Sequence, residues 1–227
     1  MKWLAVGAAL LLSGCDSGWT PPFINGGSRA IPLEWAQVDP GEQFPRILYR
    51  RSSQCSFKDI IPWQPILDEF RQEWFSSHLI AAGEQPLPAS AASEESAPLT
   101  LRFLWLPTFD NPVVIRVQKQ ASGEARIVAK RLSGAGGYEP GAISDQLDRP
   151  LTSREWRRVE RELATSRLLA QPAADCTLGF DGSEWIVEAV DKDGYRFIHR
   201  WSPQDGPVRA FGDLLLDLTG WQFENVY

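Results

Sequence analysis

An α+β fold is what this sequence predicts: one antiparallel sheet of about five strands with about three helices packed on it. Three observations lead there. Stretches at 99–106, 113–118 and 125–132 alternate in their side chains and are joined by short polar loops, the pattern of a meander. Near the C-terminus, Asp193-Gly194 sits between two β-rich runs at 184–190 and 195–201, a strong hairpin signal. Three other segments repeat apolar residues every three or four positions, and they fall between groups of strands rather than after each strand.

Taken in order, residues 15–45 are punctuated by Pro21-Pro22, Gly26-Gly27, Pro32, Pro40 and Gly41 and show no sustained period. They read as a tether, although Trp19, Phe23 and Trp35 suit partial packing on a domain. Ile47, Leu48 and Tyr49 suggest a short extended piece. A helix is expected from Pro65, with Ile66, Leu67, Phe70, Trp74 and His78 on its apolar side. Residues 83–98 are small, polar and proline-punctuated and read as a flexible loop. The three meander strands follow, and Arg102, Arg116, Arg126 and Lys130 share one outer face of them. After a glycine-rich loop at 133–141, Thr152 and Glu155 have capping-box spacing, with Trp156, Val159 and Leu163 as the helix stripe. The C-terminal hairpin leads into a last helix faced by Val208, Phe211, Leu214, Leu215 and Leu218. Residues 46–227 therefore read as a single domain.

Composition narrows the function. With 43% apolar and 23% charged residues the chain is an ordinary globular one, and ten tryptophans and eleven phenylalanines supply bulky core material. A net charge of −6 argues against nucleic acid as a partner and against a polybasic membrane patch. No apolar run reaches the ~20 residues of a spanning helix.

The N-terminus specifies an address. Lys2, the apolar run 3–12 and then Leu12-Ser13-Gly14-Cys15 follow the order of a secretory signal with a cysteine at the cut. Leu-Ser-Gly-Cys resembles the bacterial lipobox. That resemblance implies a signal peptide over 1–14, a diacylglyceryl group on Cys15 and a chain held at a membrane by acyl chains. Asp16 resembles the signal that keeps enteric lipoproteins in the inner membrane, facing the periplasm. With Cys15 modified, Cys55 and Cys176 remain. In an oxidising compartment they form either a disulfide or two small buried hydrophobes.

Candidate sites are few. The glycine loop lacks the lysine of a phosphate-binding loop, and Pro140 stands where a helix would open. Two histidines, His78 and His199, without cysteine–histidine spacing give no zinc motif, and no cofactor is implied. A two-residue turn at Asp193-Gly194 places Glu188 opposite His199, which is either a general acid/base pair or a polar pair fixing register. The segment resembles uncharacterised bacterial proteins that share an Asp-Gly, a Trp, a Glu and a closing Arg-Trp-Ser-Pro, here Asp181-Gly182, Trp185, Glu188 and Arg200 to Pro203. No activity comes with that resemblance. Arg102, Arg116, Tyr195 and Trp201 are the expected binding surface. The resulting expectation is a non-enzymatic envelope lipoprotein that binds another protein, as an inhibitor or immunity factor, or a cell-wall component. The alternatives are an envelope hydrolase using Glu188 and His199, and a structural or assembly lipoprotein.

Overall fold

A computed structural model describes residues 30–50, 65–90, 98–175, 177 and 179–227. The signal segment, Cys15, Asp16, Cys55 and Cys176 lie outside the described residues. The fold is α+β. Six strands form one antiparallel sheet: β1 (Leu99–Pro107), β2 (Val113–Lys119), β3 (Ala125–Leu132), β4 (Ile143–Pro150), β5 (Ser183–Asp191) and β6 (Gly194–Trp201), in the order β4-β3-β2-β1-β5-β6. The strand beyond the expected five is β4. Its sequence, Ile-Ser-Asp-Gln-Leu-Asp-Arg-Pro, does not alternate because it is an exposed edge whose sides need no apolar residues. Asp148 pairs with Arg126 at 2.6 Å, and the charges with Pro150 keep this edge from recruiting another strand.

Both faces of the sheet are covered. Odd-numbered residues of β1 (Leu101, Phe103, Trp105) point toward α4 (Ser153–Ser166) and α5 (Gly206–Thr219), meeting Trp156, Val159, Phe211 and Leu215. The capping box expected of α4 is present: Thr152 Oγ1 accepts from the Glu155 amide at 3.2 Å, and Glu155 accepts from the Thr152 amide at 2.7 Å. Even-numbered Leu104 and Leu106 belong to the opposite core, with Val114, Ile186 and Phe197. That core is roofed by α2 (Glu69–Ala81), by two one-turn helices, α1 (Ile47–Arg50) and α3 (Leu87–Ser90), and by the irregular chain from Ile31.

Four sequence expectations change here. The domain begins near residue 30 rather than at 46, because Ile31 exchanges two main-chain bonds with Tyr195 (2.7 and 2.8 Å) and Ile31, Ala36 and Phe44 are buried. These apolar residues are spread among prolines and glycines, so no period betrays them. Residues 47–50 are a helical turn, not extended; the Leu48 amide donates to the Pro45 carbonyl. α2 starts later than Pro65, where Asp68 accepts from the Arg71 amide, and it buries Phe75, His78 and Leu79 while Phe70 faces water. Residues 83–90, expected in a flexible loop, hold α3 and bury Glu84 and Leu87. Among the described residues, no helix is long and apolar enough to cross a membrane.

Candidate functional site

The cations predicted to share a face do share one. Arg102, Arg116 and Lys130 on it converge on the core under the roof, while Arg126 stays partly exposed beside Asp148. Arg102 and Arg116 stand directly opposite each other on β1 and β2, an arrangement that two like charges tolerate only with a carboxylate between them. Glu84, in the turn between α2 and α3, supplies it. Its side chain lies 2.9 Å from Lys130 Nζ, 3.2 Å from Arg116 Nε and 4.0 Å from Arg102 Nη1. Arg102 is fully buried; its Nε donates to Glu188 Oε2 at 2.7 Å and its Nη1 donates to the Gln85 carbonyl at 2.7 Å. Tyr195 Oη donates to the other Glu188 oxygen at 2.9 Å. Burial pushes the Glu188 carboxyl up, with Arg102 pulling the other way. Burial and the Glu188 charge together raise Tyr195 well above the ordinary phenol range, so it remains a donor. Each carboxylate is occupied by partners from distant parts of the chain. Such a cluster fixes the roof on the sheet and offers no open acid or base.

Glu188 does not face His199. Its strand partner is Phe197, while His199 lies opposite Ile186. The turn is at Lys192-Asp193, and Gly194 is already paired with Asp191. The Asp-Gly signal located the hairpin but misplaced its turn by one residue, which displaces every partner by two. The cause is local. Gly194 has φ +124°, and a Cβ there would come within 2.2 Å of the Ile31 carbonyl oxygen, so the glycine admits the incoming N-terminal segment rather than forming the turn. His199 instead bonds through Nε2 to the Glu184 carboxylate, against the Phe75 ring at 5.7 Å between centroids. Both members of this pair are buried. The second histidine, His78, donates through Nδ1 to the Trp74 carbonyl (2.9 Å), and burial lowers its pKa.

Of the four residues expected on a binding surface, Arg102 and Tyr195 are wholly buried and Arg116 and Trp201 only partly exposed. Alternation along each strand identified the shared face, yet the roof over it comes from irregular chain that has no periodic signal. What sequence reasoning missed lies at one end of the sheet. There the 107–112, 133–142 and 179–182 loops come together. The Gly136 amide donates to the Pro107 carbonyl (2.9 Å), that of Gly137 to the Thr108 carbonyl (3.1 Å), and that of Thr108 to the Gly182 carbonyl (2.8 Å). A Cβ on Gly136 would lie 2.5 Å from the Leu106 carbonyl carbon, so the glycine-rich loop is a close-packed platform rather than a phosphate cradle. Trp74 Nε1 donates to the Gly136 carbonyl at 2.7 Å and ties α2 to this end.

Large aromatics stand out of this platform. Phe109 is 61% exposed, Tyr138 64% and Phe70 73%, and Phe180 is fully exposed. The Phe109 and Tyr138 rings lie 6.4 Å apart, and the Phe70 ring packs at a tilt against Trp74, 5.8 Å between centroids. Single exposed apolar residues are ordinary; several on one end of a domain mark a contact surface. Bulky aromatics inside proline-, glycine- and aspartate-rich turns were the available sequence signal. Among the described residues, no group of three or more His, Cys, Asp or Glu side chains is placed to hold a metal. No protein-family model matches the chain, and a search of curated proteins finds no match.

Proposed function

We propose that this chain is a bacterial envelope lipoprotein, anchored through Cys15, whose domain has no catalytic activity of its own and binds another protein in an inhibitory or immunity-type role. The observation that carries the binding reading is the collection of exposed aromatics Phe70, Phe109, Tyr138 and Phe180 on one end of the sheet. Burial of such rings supplies most of the energy of many protein interfaces, and large aromatics are enriched at their centres. The anchoring reading rests on Leu12-Ser13-Gly14-Cys15. Acyl chains contribute ~0.8 kcal/mol per buried methylene, so two or three hold a domain firmly at a bilayer. With the domain starting near Ala30, residues 15–30 span at most ~50 Å, a shorter leash than a tether reaching to residue 45.

The test uses the full chain in a bacterial host, with labelled palmitate and envelope fractionation. Wild type is expected to take label and to remain with membranes, and Cys15→Ala to do neither; an unlabelled wild type overturns the anchor. Affinity purification from detergent-solubilised envelopes is expected to bring down a stoichiometric protein that Phe109→Ala/Tyr138→Ala loses. Loss of phenotype in His199→Gln, with folding and partner binding intact, would instead point to a hydrolase.

A further inference from the structure

The two ends of the sheet differ in charge as well as in exposed rings. The loops at the aromatic end (107–112, 133–142, 179–182 and 202–205) and the chain end at 224–227 contain Asp110, Glu139, Asp181, Asp205 and Glu224, all exposed, and no Lys or Arg. The cations that border this end are already engaged: Arg71, beside Phe70, pairs with Asp68 at 2.9 Å. Arg131 stacks on Trp221 and Phe223 at 4.9 and 5.0 Å, Arg209 pairs with Asp213 at 2.8 Å, and Arg200 with Asp175 at 3.4 Å. Tyr227 Oη donates to Asp110 at 3.0 Å, which folds the chain end onto the same platform. The result is an aromatic centre with a rim of one sign.

The opposite end is where the chain enters. Ile31 pairs with Tyr195, beside the Lys192-Asp193 turn, and Ala30 lines a shallow depression with Arg167 and Arg196. Strands of about eight residues rising ~3.3 Å each separate the two ends by roughly 25 Å. A chain anchored ahead of Ala30 is therefore tied to the lipid at the end opposite its exposed rings. Anionic headgroups would repel the acidic rim as well.

We infer that this end docks a cationic protein surface: an apolar patch rimmed by Lys or Arg on another envelope protein. This rests on the protein-binding reading above and names the partner's chemistry. The rings fill the apolar patch, and the five carboxylates answer its cations, steering approach and excluding acidic surfaces. A neutral glycan would leave those carboxylates without a counterpart, and three of the four rings are phenylalanines, which have no hydroxyl to offer a sugar.

Photocrosslinking of the anchored full chain in intact envelopes tests it. A benzophenone side chain replaces Phe109, Tyr138 or Phe180, with Ile80 and Arg161 as control positions elsewhere on the surface. The expected result is one protein adduct from 109, 138 and 180 and none from the controls, with the trapped peptide lying in a Lys/Arg-rich surface. Glu139→Lys/Asp181→Lys/Asp205→Lys should cut its yield about tenfold, as should raising salt. Thermal melting confirms that the charge-reversed protein, altered only at exposed positions, is folded. Adducts from 80 or 161 alone would overturn this docking end while leaving protein binding standing. Undiminished yield after charge reversal, or a trapped acidic peptide, lipid or glycan, would overturn the cationic partner. Absence of a protein adduct at every position would overturn both readings.

Discussion

The two faces of the sheet are made by the same strands, residue by alternate residue, yet they are held by different forces. Under α4 and α5, Phe103, Trp105, Trp185 and Phe211 form one apolar cluster with the Phe103 and Trp185 rings 5.3 Å apart, and its polar contacts are peripheral: Trp185 Nε1 donates to Ser183 Oγ at 2.8 Å, and Arg209 lies over the Trp185 ring. On the other side the same strand β1 turns Arg102 inward, and its charge is answered by Glu188 from β5 and Glu84 from the roof. An apolar face tolerates approximate partners because dispersion and dehydration have no direction. A face with buried ions does not, since each charge left alone is costly. The lesson is that the irregular roof is fixed by a few specific bonds, and the helical side by area.

The sharpest way to break this contrast is to remove one large group from each face. Phe211→Ala should lose about 3–5 kcal/mol through lost burial and the cavity left behind. Arg102→Met should lose a similar amount, about 3–5 kcal/mol, because it strands the Glu188 carboxylate. The faces separate on the second step. Adding Glu188→Gln to Arg102→Met should recover a good part of the loss, whereas no second substitution that only removes atoms should rescue Phe211→Ala. Urea denaturation of the single and double variants measures this, and strict additivity of Arg102 and Glu188 would refute the coupling.

A smaller effect tests how the roof is attached. At Gly194, φ is +124° and the Ile31 carbonyl oxygen would meet a Cβ at 2.2 Å. Gly194→Ala should therefore cost about 1–3 kcal/mol and loosen the segment carrying Ile31, Ala36 and Phe44. Hydrogen exchange reads that directly: amides at 31–50 should exchange faster while those of α4 and α5 keep their protection. Uniform loss of protection across both faces would mean that the roof is not a separate unit.

The same contrast explains what the sequence disclosed. The helical side was readable because α4 and α5 carry their partners in periodic stripes, and because Thr152 and Glu155 announce a cap three residues apart. β1, β2 and β3 were readable for the same reason, and the common face of Arg102, Arg116, Arg126 and Lys130 followed from alternation. Whether that face was wet or dry was not readable. Glu188 is 86 residues from Arg102, and neither spacing nor composition joins residues that far apart. β4 escaped because, unlike the covered edge strand β6, it is largely exposed along its length and no dry side imposes alternation. Glu188 and His199 were paired wrongly because one glycine admitted a distant segment instead of making a turn. The exposed rings at 109, 138 and 180 sit in turns, where a periodicity search finds nothing.

On the helical side, Thr152→Ala should cost about 1 kcal/mol, the ordinary value for a cap, because the Glu155 amide loses its acceptor. The Glu155 carboxylate also receives Arg149 at 2.8 and 3.0 Å, so Thr152→Ala should leave that pair in place. Thermal unfolding of Thr152→Ala, Arg149→Met and the double variant separates the two contributions. A Thr152→Ala variant as stable as wild type would mean that the Arg149 pair alone fixes the start of α4.

The smallest effect is in pH, where the two faces should answer with opposite sign. The Arg149 pair, with the Thr152 bonds, holds the Glu155 carboxyl down at about 2 against an ordinary value of 4.5. A depressed carboxyl contributes stability that is fully present above the unfolded value and is lost as pH falls from 4.5 toward 2. Glu188 is displaced upward by burial. Its contribution is greatest below 4.5 and declines as pH rises through the folded value. Measured against Glu155→Gln, the wild type should gain stability as pH climbs from 2 to 5, by under about 1 kcal/mol because the pair is screened by water. Measured against Glu188→Gln, the wild type should lose relative stability as pH climbs from 4.5. Slopes of the same sign in both comparisons would mean that Arg102 outweighs burial at Glu188, and that the buried ions of the roof stabilise the sheet as charges rather than by completing each other's hydrogen bonds.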